Sequence, residues 1–238
     1  MSARKEHLII NTTLFTQIGL DSGALTQLGS VVHQVPEPGE YRGVVLVDDE
    51  QVADFAFVVA KEGRPQLDVD LAALAGPADD DCGCGPRADD GPLAAGGHLL
   101  LHVGSGRAAY AVVVSAVTAN GRSQVVLDTR ELGKGDLFAA TVLRPGRYRV
   151  ANTVTGAEAK LDVAYPELGR RPMLPGEPVR VTVGDRFQPD DISVRASQGQ
   201  VYAVESGARI VIELVEPYDR KPRGDGPRHR WVRRPAGR

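Results

Sequence analysis

The sequence predicts an all-β protein: two β-sandwich-like units in tandem, with a flexible basic C-terminal tail. Three observations lead there. Pro38-Gly39-Glu40-Tyr41-Arg42 returns 107 positions later as Pro145-Gly146-Arg147-Tyr148-Arg149, and both copies open an apolar, β-rich run, so one turn that feeds a strand is used twice. With 27 glycines and 16 prolines in 238 residues, the chain holds about half again the average share of the two strongest turn formers. Many turns mean short elements. Aromatic residues make up only 5%, which leaves the core to Val, Leu, Ile and Ala, and β-branched side chains pack well on a pleated surface.

Strand candidates follow one another quickly. His7–Thr13 is apolar and β-branched, Ser30–Val35 carries Val31 and Val32, and Tyr41–Val47 runs into the turn Asp48-Asp49-Glu50. Val52–Ala60 comes next, then Gln66–Leu71, where Leu67, Val69 and Leu71 alternate with Gln66, Asp68 and Asp70. That period of two marks a strand with one wet face. A weak helical stretch near Ser22–Leu28 is broken by Gly23 and Gly29. Residues 76–97, rich in Gly, Pro and Asp, offer almost nothing to bury and read as an exposed linker or long loop. The second series runs His98–Val103, Ala108–Thr118, Ser123–Thr129, Leu137–Leu143, Tyr148–Val154 and Ala159–Val163, and then Val179–Val183, Ile192–Ala196, Gln200–Val204 and Arg209–Val215. Gly-Ser-Gly at 104–106, Asn120-Gly121 and Thr155-Gly156 supply turns; Asn-Gly is the strongest two-residue hairpin signal, because a type I′ turn needs positive φ at both positions. The expected organisation is therefore a small unit over 1–75, an acidic Cys-bearing linker over 76–97, a larger sandwich over 98–216 and a disordered basic tail over 217–238.

Charge is unevenly spread. Tyr218 to Arg238 holds eight Lys/Arg and two Asp, a local +6 that leaves −9 on the rest of a chain whose net charge is −3. An acidic body with a basic tail points to an anionic partner for the tail, or to the tail folding back on the body. The N-terminus shows no apolar leader, and no apolar run approaches the ~18 residues of a membrane span, so a cytoplasmic location is expected. Two cysteines are too few for a disulfide framework.

Asp136-Leu137-Phe138 with Arg144-Pro145-Gly146-Arg147-Tyr148 resembles the strand and turn that precede the copper cysteine of cupredoxins. Phe187-Gln188-Pro189-Asp190-Asp191-Ile192-Ser193-Val194 resembles the segment that opens a cupredoxin domain, yet here it comes after the turn. The resemblance covers about 40 residues and implies a sandwich scaffold. The family's copper cysteine lies four residues past the tyrosine, where this chain has Asn152, and Val45 in the first unit. What is implied is a scaffold without copper or any other cofactor. Immunoglobulin-like sandwiches share the same turn chemistry and stand as the alternative.

Few residues point to chemistry. Cys82-Gly83-Cys84 offers two thiols for a soft metal, a strained disulfide or thiol exchange. The competing reading is two exposed loop thiols: the flanking aspartates disfavour thiolates, and a full zinc site takes about four ligands. His98 and His102 would share one strand face with Cα atoms roughly 13 Å apart, too far for one metal ion. Gly104-Ser105-Gly106-Arg107 and Gly133-Lys134-Gly135-Asp136 lack the strand–loop–helix context of a phosphate cradle and read as β-turns. Asp48-Asp49 and Asp190-Asp191 read as solvated turn carboxylates rather than a glycosidase pair. In the tail, Trp231 lies among Arg228, Arg230, Arg233 and Arg234, an anchor set suited to a protein or anionic partner. The functional expectation is a non-enzymatic binding or assembly module that holds a protein partner through sheet surfaces, loops and the basic tail. A metal- or thiol-handling role for Cys82 and Cys84 is the alternative, and an enzyme whose residues meet only in the fold stays open.

Overall fold

The repeated turn builds the same device twice. In the computed structural model, which describes residues 12–76, 91–118, 122–166 and 176–218, Tyr41 opens strand β3 (Gly39–Val47) and Tyr148 opens β10 (Gly146–Asn152). The Tyr41 hydroxyl donates to the Glu37 carbonyl at 2.7 Å, and the Tyr148 hydroxyl donates to the Arg144 carbonyl at 2.7 Å. Both rings are buried. A tyrosine that bonds back to the backbone just upstream forms a tyrosine corner, which pins the turn to the strand it feeds.

The strands around each corner repeat as well. A hairpin joins β3 to β4 (Glu50–Ala60) through Asp48 and Asp49 at φ 51° and 64°, the positive values a type I′ turn requires. A second hairpin joins β10 to β11 (Ala157–Ala164) through a loop ending at Gly156, φ 76°. On the other side β3 pairs antiparallel with β7 (Ala111–Val117), as β10 does with β16 (Ile210–Pro217). The strands before the corners, β2 (Gly29–Val35) and β9 (Leu137–Thr141), pair antiparallel with β6 (Leu93–His102) and β15 (Gly199–Val204). Those two in turn pair in parallel with β5 (Arg64–Asp70) and β12 (Val179–Val183). Outermost, β8 (Ser123–Asp128) borders β7 and β1 (Gly19–Asp21) borders β16. Two short strands complete the set: β13 (Phe187–Gln188) on β12, and β14 (Asp191–Arg195) parallel to β11. The pairing scheme of residues 29–128 thus recurs over 137–217, with β1 supplied from the N-terminal side.

The protein is all-β. Among the described residues sixteen strands form a five-stranded sheet, β1-β16-β10-β11-β14, and an eleven-stranded one, β13-β12-β15-β9-β2-β6-β4-β3-β7-β8 with β5 on β6. The β2–β9 ladder joins the two repeats within the larger sheet. Buried residues from both repeats form one continuous apolar cluster, with Val31, Leu99, Leu101, Phe138 and Tyr202 at its centre.

Two expectations about elements change. β6 starts at Leu93, inside the expected 76–97 linker, and pairs in parallel with β5; residues 77–90 lie outside the described residues. Ser22–Leu28 is not helical: Leu25 exchanges hydrogen bonds with Tyr110 at 2.7 and 2.9 Å. Among the described residues the α-helix is the single turn α1 (Leu71–Ala75), capped by Asp70, whose carboxylate accepts from Ala72 N and Ala73 N. Most of His7–Thr13, as well as Asn120-Gly121, lies outside the described residues. Among the described residues no helix is long and apolar enough to cross a membrane.

The corners have a measurable signature. Burial pushes the Tyr148 phenol up to about 12, against a smaller opposing pull from Arg144; burial, and then the Glu37 charge, raises Tyr41 as well. A phenol with a folded value above its unfolded value of about 10 stabilises fully below pH ~10, and that contribution is lost as the pH climbs toward the folded value. Tyr148→Phe is expected to cost about 1–1.5 kcal/mol at pH 7 for the lost hydrogen bond. It should also flatten the alkaline fall in melting temperature between about pH 10 and 12. A fall as steep as the wild type's would rule out Tyr148 as its source.

Candidate functional site

The residues expected to carry chemistry divide sharply. Cys82, Cys84, Arg228, Arg230, Trp231, Arg233 and Arg234 lie outside the described residues. His98 and His102 do share the outward face of β6, beside Gln34 and Ser30 of β2 and Gln66 and Asp70 of β5. Among the described residues no group of three or more His, Cys, Asp or Glu is placed to hold a metal ion. Asn152, at the position of the cupredoxin cysteine, is fully buried. Its Oδ1 accepts from Val154 N at 3.1 Å and Arg209 N at 3.2 Å, and its Nδ2 donates to the Gly207 carbonyl at 3.4 Å. It ties the β10–β11 hairpin to the turn before β16. Its counterpart Val45 is plain core.

A polar seam runs where the two repeats meet. Arg130 holds Asp128 through two guanidinium nitrogens and reaches Asp49 at 3.1 Å. Asp49 remains a solvated turn carboxylate, 84% exposed, and pairs with Arg130 from the surface. Burial works to raise the Asp128 carboxyl, but the Arg130 hydrogen bonds and charge outweigh it and hold the group below its usual value. Arg209 grips Asp21 in the same forked way, at 3.1 and 2.8 Å. Gly23 packs between them, where an added Cβ would come within 2.8 Å of the Arg209 Nε and 3.1 Å of the Arg130 Cα. Nearby, the His33 Nδ1 donates to the buried Asp136 Oδ1 at 2.6 Å, and Asp136 Oδ2 accepts from Gly133 N at 2.7 Å. Asp136 thus closes the Gly133–Asp136 turn expected from the sequence. Each carboxylate of the seam is engaged by a cation or a backbone N–H, which suits a clamp between repeats.

The outward faces of the two corner strands differ in kind. In the second repeat Arg147 and Arg149 stand opposite Asp162 and Lys160 on β11, and opposite Glu216 and Glu213 on β16. Arg147 bonds Glu216 at 3.2 Å, and Arg149 bonds Glu158 at 3.2 Å and Glu213 at 2.7 Å. The charges of this face pair with one another, and Val215 stays exposed beside them. In the first repeat Glu40 and Arg42 stand opposite Val58 and Ala56 on β4, and opposite Val117 and Ser115 on β7. Ser115 in turn stands opposite Val125 on β8. Four positions that carry Asp162, Lys160, Glu216 and Glu213 in one repeat thus carry Val58, Ala56, Val117 and Ser115 in the other. Val52, Val58, Val117 and Val125 stay 45%, 52%, 45% and 57% exposed, and a shallow trough runs along Glu40, Arg42, Val58 and Val117.

This valine face had a sequence signal that period-two reasoning passes over. In β4 the inward residues Phe55, Phe57 and Val59 alternate with outward Val52, Asp54, Ala56 and Val58, so the strand is largely apolar on both sides. A strand of that kind is normally covered on both faces. The seam had no such signal, because Asp21 and Arg209 lie 188 positions apart. No family model, curated protein or solved structure matches this chain.

Proposed function

We propose that the chain is a non-enzymatic binding module that holds a protein partner against the outer face of β4, β3, β7 and β8. The observation that carries this reading is the contrast between equivalent faces: the second repeat's face ties Arg147 and Arg149 to glutamates beside one exposed valine, Val215, while the first repeat's face leaves Val52, Val58, Val117 and Val125 in water. Four strands at about 4.8 Å spacing and about 20 Å of strand length make a patch of roughly 400 Å², the size at which exposed apolar surface marks an interaction site. A partner with an apolar face fits it better than a nucleic acid, because the cation Arg42 is already bound to Asp54 at 3.0 Å. The basic segment with Arg228, Arg230, Trp231, Arg233 and Arg234 adds a contact for an anionic rim on that partner.

The scaffold reading that goes with this function is a tandem pair of cupredoxin-like or immunoglobulin-like sandwiches without copper. The two tyrosine corners support it. So does β14, the strand of the cupredoxin-like opening segment, which lies parallel to β11, the second strand of the corner hairpin. The reversed chain order then amounts to the same sandwich cut at a different loop.

Immobilised wild-type chain, incubated with extract of the native host, should retain a protein that the double variant Val58→Asp/Val117→Asp binds at least ten-fold less. The control Val154→Asp/Val215→Asp, equally exposed but in the second repeat, should retain it fully. Equal capture by both variants would dismiss the valine face as the docking surface.

A further inference from the structure

The larger sheet has a second outward face, and it crosses the junction between the repeats. Strand register puts Leu100, Val32, Leu137 and Ala203 side by side across β6, β2, β9 and β15. The adjacent outward row is His102, Ser30, Ala139 and Val201. All eight are partly exposed, each flanked along its strand by buried residues such as Val31, Leu99, Leu101, Phe138 and Tyr202. The centre of this face holds no carboxylate, lysine or arginine. Its two ends do, and with opposite signs: exposed Asp68, with half-buried Asp70, on β5, and exposed Arg180 on β12. An apolar centre with a charged rim is the anatomy of a protein interface.

We infer that this face binds a second copy of the chain, sheet against sheet, about a two-fold axis running along the strands between β2 and β9. That axis lays β5 of each copy over β12 of the other, so Asp70 falls in the row of Arg180 and Asp68 one row along from it, twice. It also sets Val32 over Leu137 and the large Leu100 over the small Ala203. A two-fold axis across the strands would instead put carboxylates on carboxylates. The area is that of a weak, concentration-dependent pair: six strands at about 4.8 Å and the two shared outward rows at about 7 Å give roughly 400 Å² per copy. Both copies together then bury about 800 Å², in the range of transient complexes. The valine face of β4, β3, β7 and β8 takes no part, so a dimer carries two docking faces. The pairing itself stands or falls independently of the function proposed for them.

Sedimentation equilibrium of the full chain tests this. At tens of micromolar the wild type should run at twice its 25.4 kDa, and Leu137→Glu should run as a monomer with an unchanged circular-dichroism spectrum. Asp68→Arg alone and Arg180→Asp alone should each weaken the dimer at least ten-fold, while the two together in one chain should restore it. A wild type that stays monomeric at 100 micromolar (about the ceiling for a useful assembly) overturns the inference. So does a dimer indifferent to Leu137→Glu, or a combined charge swap that fails to rescue. A dimer broken by Val58→Asp/Val117→Asp and untouched by Leu137→Glu would place the second copy on the valine face and also overturn it.

Discussion

Replacing Phe138 by alanine is expected to lower stability by about 3–5 kcal/mol, the usual cost of emptying a fully buried aromatic site. Phe138 is 0% exposed. Its ring stacks on Tyr202 with centroids 6.1 Å apart, and Tyr202 in turn meets Phe187 edge-on at 6.4 Å. Across the ladder Phe138 stands opposite Val31. The β2–β9 ladder is four residue pairs long, and Phe138 is the largest side chain on it. Loss of the ring therefore opens a cavity at the one ladder that joins the repeats. Urea denaturation measures the effect as a fall in midpoint. Val154→Ala, at an exposed site, should stay within about 0.5 kcal/mol. A loss below 1 kcal/mol at Phe138 would mean that the ring is not packed as described.

Asn152→Ala should cost about 2–4 kcal/mol. The side chain is fully buried, and its Oδ1 serves the backbone N–H groups of Val154 and Arg209. Truncation leaves both donors without that acceptor, at roughly 1–3 kcal/mol each, and because both bonds are part-buried, water and relaxation offset part of the sum. The damage should be local. Hydrogen exchange should quicken at Val154 and Arg209 and along the β10–β11 hairpin, while the first repeat, with Val45 at this position, keeps its protection. Uniform loss of protection across both repeats would contradict this confinement.

The strands were legible because their cause is local. Val-rich runs bounded by Gly, Pro and Asp place β2, β3, β4, β5, β12 and β15 within one or two residues of where they lie. The corner repeat was legible too, since Pro-Gly-x-Tyr-Arg carries the turn and the buried phenol in five residues. Two short strands left no trace. β1 is three residues, Gly-Leu-Asp, held by β16, and β13 is two residues on β12; such fragments exist only because a partner edge is waiting. The candidate docking face was half visible. The apolar run of β4 stood in the sequence, but its exposure followed only once β3, β7 and β8 were seen to turn Val58, Val117 and Val125 to the same side. Asn152 was noticed as a missing thiol, and its role in bonding backbone donors emerged from the turn at Gly207, 55 positions away.

Alternation, turn chemistry and the repeated pentapeptide determine by themselves that this chain is β throughout and internally duplicated, since each acts over a few neighbouring residues. Where one repeat ends and the next begins was decided by the fold alone. Hydrogen bonds between strands pair residues without regard to their distance along the chain, so β5 and β6 lie side by side in one sheet, and the two repeats meet at the β2–β9 ladder. The same holds for the two outward apolar faces: a side chain's type is written in the sequence, but its neighbours across a ladder are set by register.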